Sequence, residues 1–275
     1  MTEAAIRHAA AGRMDNVTPL GLVLVGLCGL AGIAAAYGLI VRIDAESLDR
    51  FGPRLLDGFV TTLELTGISF VIGAGLSIPV AMGRLSRNLP ARGLALAYSY
   101  FFRGTPLLAQ LFLIYYGAGQ FNAELKAAGL WWFFRDGFYC ALFTFSLNTA
   151  AYQSEILAGA VRNVPRGQRE AATALGLHTV VTTWKVILPQ ALISALRPYG
   201  NELILLAKAS SVASLVTVLD IMGETRFAYS KTYDISFYVW AAVFYLVIVQ
   251  AVSLGVGGIE RGLTRHLRSV RRAAR

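Results

Sequence analysis

The chain alternates long apolar runs with short polar connections. Apolar runs fall at about 17–41, 59–83, 94–119, 138–161, 198–219 and 236–259. At roughly 1.5 Å per residue, each can cross a hydrocarbon core about 30 Å thick. The pattern therefore predicts an all-α, polytopic membrane protein of about six transmembrane helices. The first run has a rival reading as a cleaved signal peptide, given Arg7, Arg13 and the small residues Ala34, Ala35 and Ala36. It is long for a signal core, and a retained helix is preferred.

One connection differs from the rest. Residues 163–190, NVPRGQREAATALGLHTVVTTWKVILPQ, are polar and helix-forming. Asn163 is placed to cap a helix and Pro165 suits its first turn. The helix should run to Gly176, which can take the left-handed conformation that ends helices. A second short helix is expected from about Thr179, stopped before Pro189. Alanines line one flank and Arg166, Arg169 and Glu170 the other. This reads either as a docking element for a partner or as a solvated amphipathic loop.

Inside the runs, ionisable and amide side chains are costly and mark functional candidates. Thr144, Asn148, Tyr152 and Glu155 recur at helical spacing and share one face, which Gly159 continues without a side chain. The fifth run carries Asn201, Lys208 and Ser211 in a similar stripe, with Glu202 beside it. The two stripes could line a water-filled path for an amino or carboxylate group, or serve as glue between helices. Glu155, two turns beyond Asn148, is expected to face Lys208, a bound cation or water. Arg103-Gly104-Thr105-Pro106 reads as a break in the third run.

Composition sharpens the class. With 56% hydrophobic and 15% charged residues among 275, the chain is too apolar for a soluble domain. A net charge of +9 points towards nucleic acid, but the apolar runs leave no soluble basic domain to bind it. Cys28 and Cys140 lie within apolar runs, against a structural disulfide or a metal site, and no metal-ligand cluster stands out. With the N-terminus inside, cytoplasmic segments hold sixteen Lys and Arg and outer segments seven. That places both termini and the 163–190 loop in the cytoplasm. The basic tail 266–275 then reads as an anchor near anionic membrane lipid. Trp131 and Trp132, with Phe133 and Phe134, form an interfacial belt outside. The GxxxxGK phosphate-loop pattern is absent, so any ATP-driven step needs another chain.

Glu170-Ala171-Ala172, three residues, Gly176, and then Leu188-Pro189 resemble the EAA loop of bacterial ABC importer permeases, with Val186 where that family favours Ile. Other stretches resemble the polar amino acid branch: Phe102-Arg103-Gly104-Thr105-Pro106-Leu107-Leu108; Leu147-Asn148-Thr149-Ala150-Ala151-Tyr152 with Ser154-Glu155-Ile156; and Asn201-Glu202 with Lys208. The similarity spans about 55–265. It implies a five-helix permease core over 55–265, after an N-terminal tail, extra helix and outer linker at 1–54. It also implies a second permease subunit, identical or related, separate ABC ATPase subunits that bind the ATP, and a periplasmic solute-binding protein. The chain itself is expected to be no enzyme and to hold no cofactor. Arg166, Arg169, Glu170, Ala171, Ala172, Gly176, Leu188 and Pro189 would couple to the ATPase. Asn148, Tyr152, Glu155, Asn201, Lys208 and Ser211 would line the substrate pathway for polar amino acids by alternating access. Leu113-Ile114-Tyr115-Tyr116-Gly117 and Phe138-Tyr139-Cys140-Ala141 look most like permeases for histidine, other basic amino acids and opines, with glutamate and glutamine left open. A self-contained, ion-coupled secondary transporter using Glu155 and Lys208 as a relay is the alternative, and a non-transporting membrane anchor or sensor subunit is a third reading.

Overall fold

A computed structural model describes residues 19–40 and 45–263. The N-terminal tail and the basic tail 266–275 lie outside the described residues. Every regular element described is helical. The apolar helix α1 (Pro19–Ile40) leads into α2 (Ala45–Leu85), which runs 41 residues. At about 60 Å, α2 is twice as long as a hydrocarbon core is thick. Its first turns follow an amphipathic pattern that buries Phe51 and Leu55 against Ala228 and Phe237. The helix therefore continues well before the expected span at 59.

The third apolar run is two helices, α3 (Leu89–Gly104) and α4 (Leu107–Gln120). Asn88 caps α3, and Thr105 and Pro106 interrupt the pair, where the sequence predicts a break. The freed backbone groups do not stay orphaned. Gln110 Nε2 donates back to Phe102 O at 2.9 Å and to Thr105 Oγ1 at 2.7 Å. Two short helices, α5 (Asn122–Ala127) and α6 (Trp131–Phe134), lead to α7 (Gly137–Asn163), capped by Asp136. The α6 aromatics pack on its start, with Phe133 stacked on Tyr139.

Helix α7 is the centre of the molecule. Cys140, Ala141, Phe145, Ala150, Ala151 and Ala158 are fully buried along it, and so are Thr144, Thr149, Gln153 and Ser154. Small side chains let α2 approach closely: a Cβ on Gly73 would lie 2.3 Å from Thr149 Cγ2. Leu65, Leu111, Phe145, Leu206 and Val216 close the core around it.

Beyond α8 (Arg166–Ala174) comes α9 (Thr179–Thr182), then a π-helical segment Thr183–Ile187 and α10 (Leu188–Ala209). A 3₁₀ segment, Ser210–Val216, follows. Two expectations are corrected here. The second loop helix does not stop before Pro189, because that proline falls in the first turn of α10, where its missing N–H is harmless. The helix of the fifth run is likewise not confined to 198–219, since the helical path runs unbroken from Thr179 to Val216. Helix α11 (Ile221–Thr232) is clamped to α2 by Arg54, whose Nε donates to Glu224 Oε2 at 2.7 Å and whose guanidinium lies 4.0 Å from the Phe227 ring centre. Helix α12 (Ser236–Leu263) closes the fold.

Among the described residues, Asp49–Leu85, Thr179–Val216 and Ser236–Leu263 are each long and apolar enough to cross a membrane. Helix α7 has the length, but its polar side chains are buried inside the protein. Thr144, Ser146 and Ser154 donate to carbonyls of α7 itself, while Asn148, Thr149 and Gln153 reach neighbouring helices.

Candidate functional site

The break between α3 and α4, the middle of α7 and the second half of α10 enclose a cavity of about 290 Å³. Thr105, Asn148, Tyr152 and Glu202 supply its polar wall, and Leu107, Leu205, Leu206 and Ala209 the rest. Asn148 Nδ2 donates to Phe102 O at 2.8 Å and to Gln110 Oε1 at 3.1 Å, so the broken helix is pinned to α7. Thr149 Oγ1 donates to Glu202 Oε1 at 2.9 Å. Glu202 is 6% exposed, and no cationic side chain pairs with it among the described residues. A carboxylate in that position suits a cationic group arriving from outside the protein.

Tyr152 carries the guanidinium of Arg103 at 5.3 Å from its ring centre. Arg103 Nη1 also donates to Glu155 Oε2, and Arg84 Nη2 donates to the same oxygen at 2.5 Å. Of the partners expected for Glu155 (Lys208, a bound cation or water), Lys208 is not the one: Arg84 and Arg103 hold it instead. Lys208 is exposed on α10, and its carbonyl accepts from Ser211 Oγ at 2.9 Å. Asn201 is exposed on the same side. One residue is about 100° of helix rotation, so Glu202, not Asn201, reaches the cavity with Asn148 and Tyr152. Ala191 and Ala195, buried on the side of α10 that carries Glu202, are the sequence signal that could have set this phase. The roles of Arg84 and Arg103 had no such signal, since distant charges pair only in three dimensions.

The second feature is the helix pair at 163–190. Asn163 is the last residue of α7 and not the cap of α8; Pro165 occupies the cap position, and its carbonyl accepts from Gln168 N–H at 3.0 Å. The proline fixes an extended turn that separates the two helices. Gly176 has φ +72, as its place in the sequence predicts. Its N–H donates to Thr173 O at 2.9 Å and that of Leu177 to Ala172 O at 3.0 Å, the paired bonds of a glycine-terminated helix.

Ala172 is buried, while Arg166, Arg169, Glu170 and Ala171 are exposed. Leu188 is half-buried and Pro189 exposed. Gln190 Nε2 donates to Gln168 Oε1 at 3.2 Å and ties α8 to the start of α10. Leu175, Val180 and Trp184 present apolar surface on the pair, and a cleft of about 510 Å³ at the start of α8 is lined by Arg162, Arg166, Arg169 and Glu170 with Leu85 and Val164. The pair thus offers mixed apolar and basic surface on a rigid support.

An all-helical membrane subunit, with a half-open cavity that carries a polar wall and with an exposed helix pair, is the class of a transport component. The chain belongs to the family of binding-protein-dependent transport system inner membrane components, which matches residues 73–269. It is 43% identical over 228 residues to the nopaline transport system permease protein NocM of Agrobacterium fabrum, covering 82% of this chain and 95% of that one. It is 35% identical over 209 residues to the arginine ABC transporter permease protein ArtM of Escherichia coli, covering 76% and 94%. Among solved structures, an amino acid ABC transporter crystallised with histidines superposes with TM-score 0.70 at 30% identity, over 80% of this chain and 98% of that one. The MetNI methionine ABC transporter, at 20% identity and TM-score 0.66, covers 81% and 100% and shares the fold. These relatives are transport components, and they do not favour the secondary-transporter alternative.

Proposed function

We propose that this permease subunit moves basic amino acids or opines inward across the bacterial inner membrane by alternating access. The observation that carries the substrate class is Glu202, a buried carboxylate on the cavity wall that forms no ion pair among the described residues. A substrate ammonium or guanidinium supplies a cationic partner. Relatives named for nopaline, octopine and arginine transport support the same reading. In the proposal six spans place both termini and α8 in the cytoplasm. A second permease subunit, identical or related, covers the exposed stripe of Asn201, Lys208 and Ser211, and these side chains face the shared path. Separate ATPase subunits bind the ATP and dock on Arg166, Arg169, Glu170, Ala171, Ala172 and Gly176, with Leu188 and Pro189 holding the second half of the pair. An extracytoplasmic binding protein delivers substrate from the other side.

The test is co-reconstitution of the subunits in liposomes with labelled arginine and labelled nopaline. Uptake of at least one should require both ATP and the binding protein, and it should survive collapse of the proton and sodium gradients. Uptake by this chain alone, driven by an ion gradient, would overturn the proposal.

The docking role makes its own prediction. Gly176→Val puts a β-branched residue at positive φ, a strain of about 1–2 kcal/mol confined to the end of α8. ATPase co-purification and uptake should fall together, at near-normal amounts of protein in the membrane. Full uptake in that variant would remove the helix pair from the mechanism.

A further inference from the structure

Between the arginine-lined cleft and the cavity lies an ion cluster that neither role uses. Arg84 sits one residue from the end of α2, Arg103 one residue from the end of α3, and Glu155 eight residues before the end of α7. One carboxylate oxygen, Glu155 Oε2, accepts from both guanidiniums. The arginines differ in kind. Arg103 is about one-third exposed and can reach water, whereas Arg84 is 6% exposed and its Nε has no acceptor. A guanidinium buried to that extent depends on its single anion. Among the described residues, Glu155 is thus the one ion-pair point that joins α2, α3 and α7.

The cluster is continuous at both ends with the features described above. Towards the cleft, Arg162 Nη2 donates to the Arg84 carbonyl at 3.3 Å, and Arg162 lines the cleft with Arg166 and Arg169. Towards the cavity, Arg103 lies over the Tyr152 ring, and Tyr152 forms part of the wall that contains Glu202. We infer that Arg84, Glu155 and Arg103 form a latch that couples displacement of the cytoplasmic helix pair to the shape of the substrate cavity. The inference rests on the importer reading above. The three are positioning residues: when the cleft moves, Arg162 carries the end of α2 with it, and Glu155 must follow Arg84 or leave a buried charge unpaired. Because Glu155 also holds Arg103, the cavity wall at Tyr152 moves with it.

Continuity in space is not coupling, and a simple staple would have the same geometry. The two differ in uptake per ATP hydrolysed, measured in the complete reconstituted complex with its ATPase and binding protein. For a latch, Arg84→Gln, Glu155→Gln and Arg103→Gln should each uncouple. Hydrolysis should lose its dependence on loaded binding protein, and uptake per ATP should drop roughly tenfold. If Glu155→Gln does not assemble, because it strands the buried Arg84, the pair Arg84→Gln with Glu155→Gln removes that charge and carries the same test. A fall in protein amount or thermal stability, with uptake per ATP unchanged, would overturn the latch and leave a staple. Loss of ATP- and binding-protein-dependent uptake in the unmodified complex would instead strike the importer reading itself.

Discussion

Gly137→Ala should destabilise the protein by about 3 kcal/mol or more, at the top of the range for overpacked interiors. A Cβ at this position would lie 1.9 Å from Val216 O and 3.1 Å from Thr217 Oγ1. The obstacle is backbone, so no rotamer change can relieve it. Val216 is fully buried at the end of the 3₁₀ segment, and Thr217 is already held at φ 68. Room for a methyl group could come only from moving the first turn of α7 away from the segment that ends α10. That shift would also open the core around Leu65, Phe145 and Val216. Thermal unfolding of the purified protein in detergent checks it, with Gly93→Ala as the control. Gly93 lies exposed in α3 with nothing within 4 Å of an added Cβ, so alanine there should be neutral or slightly stabilising. A Gly137→Ala variant that melts with the parent protein would mean that α7 and the 3₁₀ segment do not meet this closely.

Most of the helical framework was legible because a bilayer rewards long apolar runs, and such runs are visible in any sequence. Gly176 and the Arg103–Pro106 break were legible for a related reason: each is a local backbone event set by one or two residues. What failed was phase and pairing. Pro189 reads as a stop signal, yet a proline in a first turn opens a helix equally well, and only the π segment before it decides between them. Asn163 has the side chain of a cap but is still inside α7, since Pro165 already fixes the turn. Asn201 and Glu202 are adjacent polar residues in a helix with apolar residues on several faces, so hydropathy could not say which one faces inward. For Glu155 the sequence leaves Lys208, a bound cation and water open, because nothing in it shows which distant charge folds alongside. Arg84 and Arg103 looked like interfacial charges, although Arg84 is in fact the most buried partner of the cluster.

Glu202→Gln should lower uptake efficiency for a basic amino acid by roughly ten- to a hundredfold, with assembly intact. The carboxylate is 6% exposed, it accepts from Thr149 at 2.9 Å, and it lines the cavity beside Asn148 and Tyr152. Among the described residues it has a hydrogen bond but no ion pair, an expensive arrangement at membrane depth. Glutamine retains the size of the side chain and, through its carbonyl oxygen, the bond from Thr149. Only the charge is removed. A hydrogen bond between charged groups contributes about 1.5–3 kcal/mol, which sets the expected loss. The readout is kcat/KM for ATP-driven uptake of arginine in the reconstituted complex, alongside the same measurement for a neutral amino acid that the binding protein also delivers. The loss should be much larger for arginine, because only its side chain brings a charge to the site. Removing a buried, uncompensated carboxylate should at the same time raise thermal stability or leave it unchanged. Equal losses for the two substrates would make Glu202 a general part of the permeation path and not the cation acceptor. Unchanged arginine uptake would leave it a structural partner of Thr149, and the basic substrate class would lose the residue on which it rests.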